Sequence, residues 1–358
     1  MLPSRFLGHR SLWVGGLILL LGLTFPAASG CAQDVPEPEN SGPDTTFSNP
    51  IIESRDVPDP WVVRHDGWYY LTGTMAPSEG LVVWKSRSLV DWSDAVKDTV
   101  WTAPEEGPMS AQLWAPELYR FDGRWYLYVT ASDGEDAHHR HYVLESAGDD
   151  PMGDYQSKGR MDAGLDAYAI DGSILRTGDG SLYWMYTAQH QIGMAPMENP
   201  WTVDGARRAV IAEPSEPWER GWIEAPEALR HDGRQFIVYS AGHSATPHYV
   251  LGRLTHTGGD VLNPSNWKKH PTPVFTPHVG AEGAVYTTGH CTFTTSPDGS
   301  EDWMVYHGKS WRDPGQQGFS GRKARAQRIR WRPDGTPAFG TPTPRGVPVP
   351  VPSGSPLR

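Results

Sequence analysis

The feature that most limits the fold is a five-fold echo within the chain. The segments HDGWYYLTGT (65–74), FDGRWYLYVTAS (121–132), GDGSLYWMYTAQ (178–189), HDGRQFIVYSAG (231–242) and PDGSEDWMVYHG (297–308) each set a turn glycine ahead of an alternating, aromatic-rich run. Those glycines, at 67, 123, 180, 233 and 299, are 56, 57, 53 and 66 residues apart. A period of that size marks one supersecondary unit copied several times. Asp-Gly ahead of such a run predicts a tight hairpin, because its turn needs positive φ. The runs LVVWKS (81–86), YVLES (142–146), YVLGRLT (249–255) and ARAQRIRW (324–331) add a third strand to most units. A four-stranded antiparallel unit repeated about an axis is a propeller blade, so the expectation is an all-β, five-bladed propeller. A two-sheet sandwich would not require a period above fifty residues.

Composition agrees and narrows the partners. Thirty-nine Gly, 33 Pro and 11% aromatic residues suit short strands and turns, not a helical bundle or a disordered chain. A net charge of −11 repels a phosphate backbone, which argues against nucleic acid.

The ends of the chain read differently from its body. Arg5 and Arg10 precede an apolar run from Trp13 to Phe25, the pattern of an export signal. Ala28-Ser29-Gly30-Cys31 is similar to the bacterial lipoprotein box, in which the cysteine is acylated and becomes the first mature residue. The expected organisation is therefore a signal over 1–30, a disordered tether over 31–48, the propeller over 49–345 and a Pro-rich tail over 346–358. No apolar run of 18 residues follows Cys31, so membrane contact is expected only through the lipid. With Cys31 lipidated, Cys291 has no disulfide partner.

In a propeller the first strand of each blade lines the central channel. Trp114, Asp171, Glu224 and His290 each fall nine residues before their turn glycine, and Asp59 falls eight before. Three acids, a Trp and a His are thus expected at one level of one funnel. Carboxylates crowded in a small concave space cannot all ionise, so one becomes a proton donor while another stays a base. That is the arrangement that cleaves a glycosidic bond. Glu117 and Glu227 follow Trp114 and Glu224 by three residues, an odd offset that assigns them to the other face of the strand as supporting or inter-blade residues. Of Trp61 and Trp114, Trp114 is the candidate sugar platform. Adjacent residues in His138-His139-Arg140-His141 point in different directions and make a poor metal cluster.

Asp59-Pro60, Trp114-Ala115-Pro116, Ile170-Asp171-Gly172 and Glu224-Ala225-Pro226 together resemble glycoside hydrolase family 43 over residues 49–345. GPMSAQLWAPEL (107–118), WERGWIEAPEAL (218–229) and DWMVYHGKSW (302–311) resemble its bacterial, exo-acting α-L-arabinofuranosidases. The resemblance implies Asp59 as general base, Glu224 as general acid and Asp171 as the group that tunes the acid and orients substrate. It implies inversion, for which the two working carboxyls stand roughly 6.5–9.5 Å apart to admit water. Arg322 matches an arginine that reaches the sugar, and His290 is a further substrate-side residue. No cofactor is required, though the resemblance leaves room for a structural calcium or sodium ion near His290. Two departures stand out: the acid motif is Glu-Ala-Pro where Glu-Gly-Pro is usual, and Gly289-His290-Cys291-Thr292 replaces a Gly-His-Asn-Ser type segment.

The resulting expectation is an exported, lipid-anchored enzyme that removes terminal α-L-arabinofuranosyl units from arabinose-containing plant polysaccharides. Three alternatives remain open at this point. One is a β-D-xylosidase of the same family. A retaining fructan hydrolase is disfavoured by its different first and acid motifs. The third, from another class, is a catalytically silent carbohydrate-binding propeller.

Overall fold

The computed structural model describes residues 45–75, 80–311 and 318–356. The signal segment, Cys31 and the tether as far as residue 44 lie outside the described residues. The body is five antiparallel sheets, each of four or five strands. Their innermost strands are Trp61–His65, Ala111–Phe121, Ala169–Arg176, Ile223–His231 and Gly283–Thr295, in blades I to V. These strands neighbour one another around a common axis, which makes the fold the five-bladed propeller that the repeat predicts.

The apolar side chains do not form one core. They divide into five clusters, each between consecutive blades, with Trp125 between blades I and II, Trp184 between II and III, Tyr239 between III and IV, Tyr306 between IV and V, and Trp303 between V and I. A blade is covered on both faces, which is why runs such as Tyr69–Thr72 and Trp125–Ser132 are buried continuously rather than at alternate positions.

Three hairpins are the expected two-residue Asp-Gly turns, with φ of 48° and 73° at Asp66 and Gly67 and similar values at Asp122-Gly123 and Asp232-Gly233. The turns around Gly180 and Gly299 are longer, closed by hydrogen bonds from Thr177 to Ser181 and from Ser296 to Glu301. Counting back from the glycine is therefore out of step in blades III and V, with a consequence for the site described below.

The ring is closed without a covalent bond. Asn49 donates to the Ala326 carbonyl and accepts from the Ala326 amide, both at 2.9 Å, and the Ile51 amide donates to the Ala324 carbonyl. This ties the entry segment of blade I to the third strand of blade V. Val349–Pro350 pairs with Thr46–Phe47, so the Pro-rich end runs extended against the start of the body.

Candidate active site

One backbone device recurs in all five inner strands. Asp59, Ala115, Asp171, Ala225 and His290 all have φ between 44° and 54°, in the left-handed region. In blades II to V the strand pairing slips at this point, as in a β-bulge. Each of these five left-handed residues donates its amide to a side chain of the preceding blade: Ala115 to Thr74 (2.8 Å), Asp171 to Thr130 (3.1 Å), Ala225 to Thr187 (3.1 Å), His290 to Ser240 (2.8 Å) and Asp59 to His307 (3.1 Å). Thr74, Thr130, Thr187 and Ser240 stand seven residues after the turn glycine, and His307 eight. That regularity is readable in the sequence, but its meaning is not, because each bond crosses between blades.

The structurally equivalent set is thus Asp59, Asp171 and His290 with Ala115 and Ala225. Trp114 and Glu224 stand one residue earlier. Counting placed Trp114, Asp171, Glu224 and His290 at a single register because it took all five turns to be alike. The three acids nevertheless come together at the entrance ends of the inner strands, where Asp171 feels the charge of Glu224 and Asp59, and Glu224 that of Asp59.

Asp59 is 9% exposed and heavily bonded. Its Oδ1 lies 3.0 Å from Arg322 Nη1 and 3.3 Å from Nδ1 of both His290 and His307, and Thr74 donates to its Oδ2 at 2.6 Å. Burial pushes this carboxyl up, but the Arg322 guanidinium, with His290 beside it, outweighs burial and holds it well below the usual carboxylate range. Since His307 Nδ1 accepts the Asp59 amide hydrogen, its ring proton sits on Nε2, and burial lowers the imidazole to about 3. His307 is therefore neutral.

Glu224 is pulled the other way. Burial raises its pKa, against hydrogen bonds donated by Tyr249 to Oε1 (2.7 Å) and by Trp222 Nε1 to Oε2 (2.6 Å). Asp171 is raised well above the usual range by burial and then by Glu224, Asp59 and Glu117. Two glycines beside these residues make room for packed rings. A Cβ at Gly172 would meet Trp184 Cζ2 at 2.0 Å, and one at Gly289 would meet Tyr249 Cε1 at 2.3 Å, displacing the ring that holds Glu224.

Arg322 is 7% exposed and bonded to Asp59, so it lies within the candidate site and not on the surface. His290 faces Asp59. Trp114 stacks on His139 at 3.9 Å, and His139 abuts Tyr168. Trp61 is buried, donates to the Leu118 carbonyl and packs on Tyr119 between blades. Sequence reasoning missed His307, Thr74, Tyr249 and Trp222. Trp222 continues outward through His190 (3.7 Å) and His243 (5.2 Å) to Phe319 (6.0 Å from His243), which is 59% exposed. This aromatic rim runs along the Glu224 side of the mouth.

The odd-offset reading of Glu117 and Glu227 needs correcting. Glu224 pairs with Ser240 and Glu227 with Val238, so three residues on one strand match two on the other and the bulge returns Glu227 to the face of Glu224. Trp114 and Glu117 repeat this against Thr130 and Tyr128. Both glutamates therefore lie below the upper acids and still bridge blades, through Tyr119 and Ser173.

Around His290 the donors do not form a cation cage, since the carboxylate it faces is already paired with Arg322. Among the described residues no group of three or more His, Cys, Asp or Glu is arranged to hold a metal. His138 bonds Asp133, His139 stacks on Trp114, and His141 is buried against Trp184.

Residues 47–337 match the family described as Glycosyl hydrolases family 43. The chain is 34% identical over 328 residues to "Alpha-L-arabinofuranosidase 43" of Humicola insolens, covering 87% of this chain and spanning 66% of that protein's length. It is 36% identical to "Extracellular exo-alpha-(1->5)-L-arabinofuranosidase" of Streptomyces chartreusis, over 80% of this chain and 90% of the relative. Among solved structures, an α-L-arabinofuranosidase from Lactobacillus brevis superposes with a TM-score of 0.76 at 32% identity, covering 84% of this chain and 98% of that one.

Proposed function

The chain belongs to glycosyl hydrolases family 43, and from that premise we propose that it is an exported glycosidase that releases terminal α-L-arabinofuranosyl residues from arabinan or arabinoxylan oligosaccharides, with inversion at the anomeric carbon. The observation that carries the reading is the opposite pull on facing carboxyls: Asp59 is held ionised while burial keeps Glu224 protonated to higher pH. A base and an acid with separated pKa values are what hydrolysis of an acetal requires.

In this reaction Asp59 takes a proton from a water molecule as that water attacks the anomeric carbon. Glu224 gives its proton to the leaving oxygen as the glycosidic bond breaks. The hydrogen bonds from Tyr249 and Trp222 then stabilise the carboxylate left behind. Asp171 makes ionisation of Glu224 costlier and, with Arg322, His290 and Trp114, orients the sugar. The aromatic rim from Trp222 to Phe319 offers flat faces for the leaving group beside its proton donor. Export and acylation at Cys31 complete the reading: the enzyme would sit at the cell envelope with only its lipid in the membrane.

The test is product analysis on arabino-oligosaccharides, with NMR of the first-formed anomer. Release of single arabinose units as the inverted anomer is expected, and a retained first anomer overturns the single-displacement chemistry. Nitrophenyl arabinofuranoside should be cleaved faster than nitrophenyl xyloside; a dominant xyloside rate makes the protein a xylosidase. Glu224→Ala should abolish cleavage of oligosaccharides while binding persists, and unaltered turnover removes Glu224 from its role.

A further inference from the structure

Below the upper acids a run of contacts crosses three blades. Glu117 Oε2 lies 2.7 Å from the Tyr119 hydroxyl, that hydroxyl lies 3.1 Å from Ser173 Oγ, and Ser173 Oγ lies 3.1 Å from Glu227 Oε2. Each of these three O···O contacts needs a proton between its oxygens, since bare lone pairs at such distances repel. Tyr119 and Ser173 bring one hydroxyl proton each. The Ile174 amide donates to the Tyr119 oxygen at 3.0 Å and so occupies a lone pair there without adding a proton to the run. The count is one proton short, and only a carboxylic O–H at one end can supply it.

We propose that the Glu117–Tyr119–Ser173–Glu227 chain binds one exchangeable proton in the folded protein, as a carboxylic acid at one end and a carboxylate at the other. Two directions satisfy every contact. With the proton on Glu117, Glu117 donates to Tyr119, Tyr119 to Ser173 and Ser173 to Glu227. With it on Glu227, all three donations reverse. Exchange between the two moves three protons by one link each, breaking three O–H bonds and forming three, and it carries the negative end of the chain from one blade to the other at constant net charge.

The surroundings favour holding a proton. Neither carboxyl has a cationic neighbour among the described residues, and burial raises both, Glu117 to about 8 and Glu227 well above the usual range. The groups that face them are Tyr119 and Tyr128 of blade II, Asp171 of blade III, which feels Glu117, and the Cys291 thiol of blade V, which feels both. Glu117 and Glu227 are thereby positioning residues: where the negative end rests decides how much charge lies beneath the Asp171–Glu224 pair.

Glutamine supplies an N–H donor in the same shape, so each single variant completes the run without the extra proton. Glu117→Gln leaves the charge on Glu227, and Glu227→Gln leaves it on Glu117, under Asp171. Difference infrared spectra near neutral pH, wild type minus variant, count the protons directly. Loss of one buried carboxylic C=O band is expected in either single variant, with no further band lost in E117Q/E227Q. A second band lost in the double variant means two protons, no lost band means none, and either result overturns the proposal. The kinetic arm rests on the glycosidase reading. There the alkaline limb of kcat/KM should move up in E227Q and down in E117Q, and movement in the same direction overturns the positioning role. A wild-type protein inactive on every arabinoside would sink the glycosidase reading and leave the infrared count standing.

Discussion

Asp59 and Glu117 are equally deprived of water, at 9% and 7% exposure, yet one carboxyl lies well below its ordinary pKa and the other is raised to about 8. They differ in partners, not in depth. Asp59 meets a guanidinium, two imidazoles and a hydroxyl, whereas Glu117 meets a phenol and, through it, a second carboxyl. A buried carboxylate without a cation is costly, and taking up a proton is the cheaper outcome. The lesson for the upper site is that burial alone would make every acid in this channel a proton donor. Arg322 is what keeps one of them a carboxylate.

The contrast breaks most directly at Asp59. Asp59→Asn keeps the shape and removes the proposed base, so kcat should fall by about 10²–10⁴-fold with circular dichroism unchanged; a residual rate close to wild type would place the base elsewhere. Arg322→Met tests the cation itself. It leaves a buried, uncompensated Asp59, with an expected loss of about 3–5 kcal/mol in urea unfolding. The acid limb of kcat/KM should move to higher pH, because Asp59 then takes up a proton more readily.

The lower ring makes a smaller, opposite prediction. In wild type, burial raises Glu117 from an ordinary value of 4.5 to about 8 in the native state, so the proton it shares with Glu227 is retained through that range. The native state therefore binds more protons than the unfolded one within that window, and the unfolding free energy falls as pH rises through it, by at most about 1.4 kcal/mol per pH unit. Glu117→Gln should flatten this slope, and a slope unchanged in the variant would show that the proton is held elsewhere. Smallest is the effect of the bulge that supports both rings. Ala225 has φ of 51°, a conformation that costs an L-residue about 1–2 kcal/mol and glycine nothing. Ala225→Gly should stabilise the protein by up to about 1 kcal/mol, offset in part by the entropy glycine loses on folding, and a destabilised variant would mean that the methyl packs usefully.

Much of this was legible in the chain itself. The period of the Asp-Gly hairpins announces five blades because each turn needs residues that tolerate positive φ, and the aromatic runs announce burial on both faces. Asp59, Asp171 and Glu224 stand out because each begins an inner strand of a different repeat. Glu117 and Glu227 were misjudged because the alternation rule assumes an unbroken strand, and bulges at Ala115 and Ala225 add a residue that turns the side chain back. Arg322 could not be told from the neighbouring cations by pattern, since its partner is 263 positions away in sequence.

What the linear order determined by itself is the repeated unit, its strand and turn content and the identity of the acids, because those follow from local φ preferences and from which side chains must leave water. Which acid is ionised was decided only when the ring closed. Closure brings Arg322 of the last blade against Asp59 at the entry to the first, and a pKa is set by whatever charge stands a few ångströms away, however remote along the backbone.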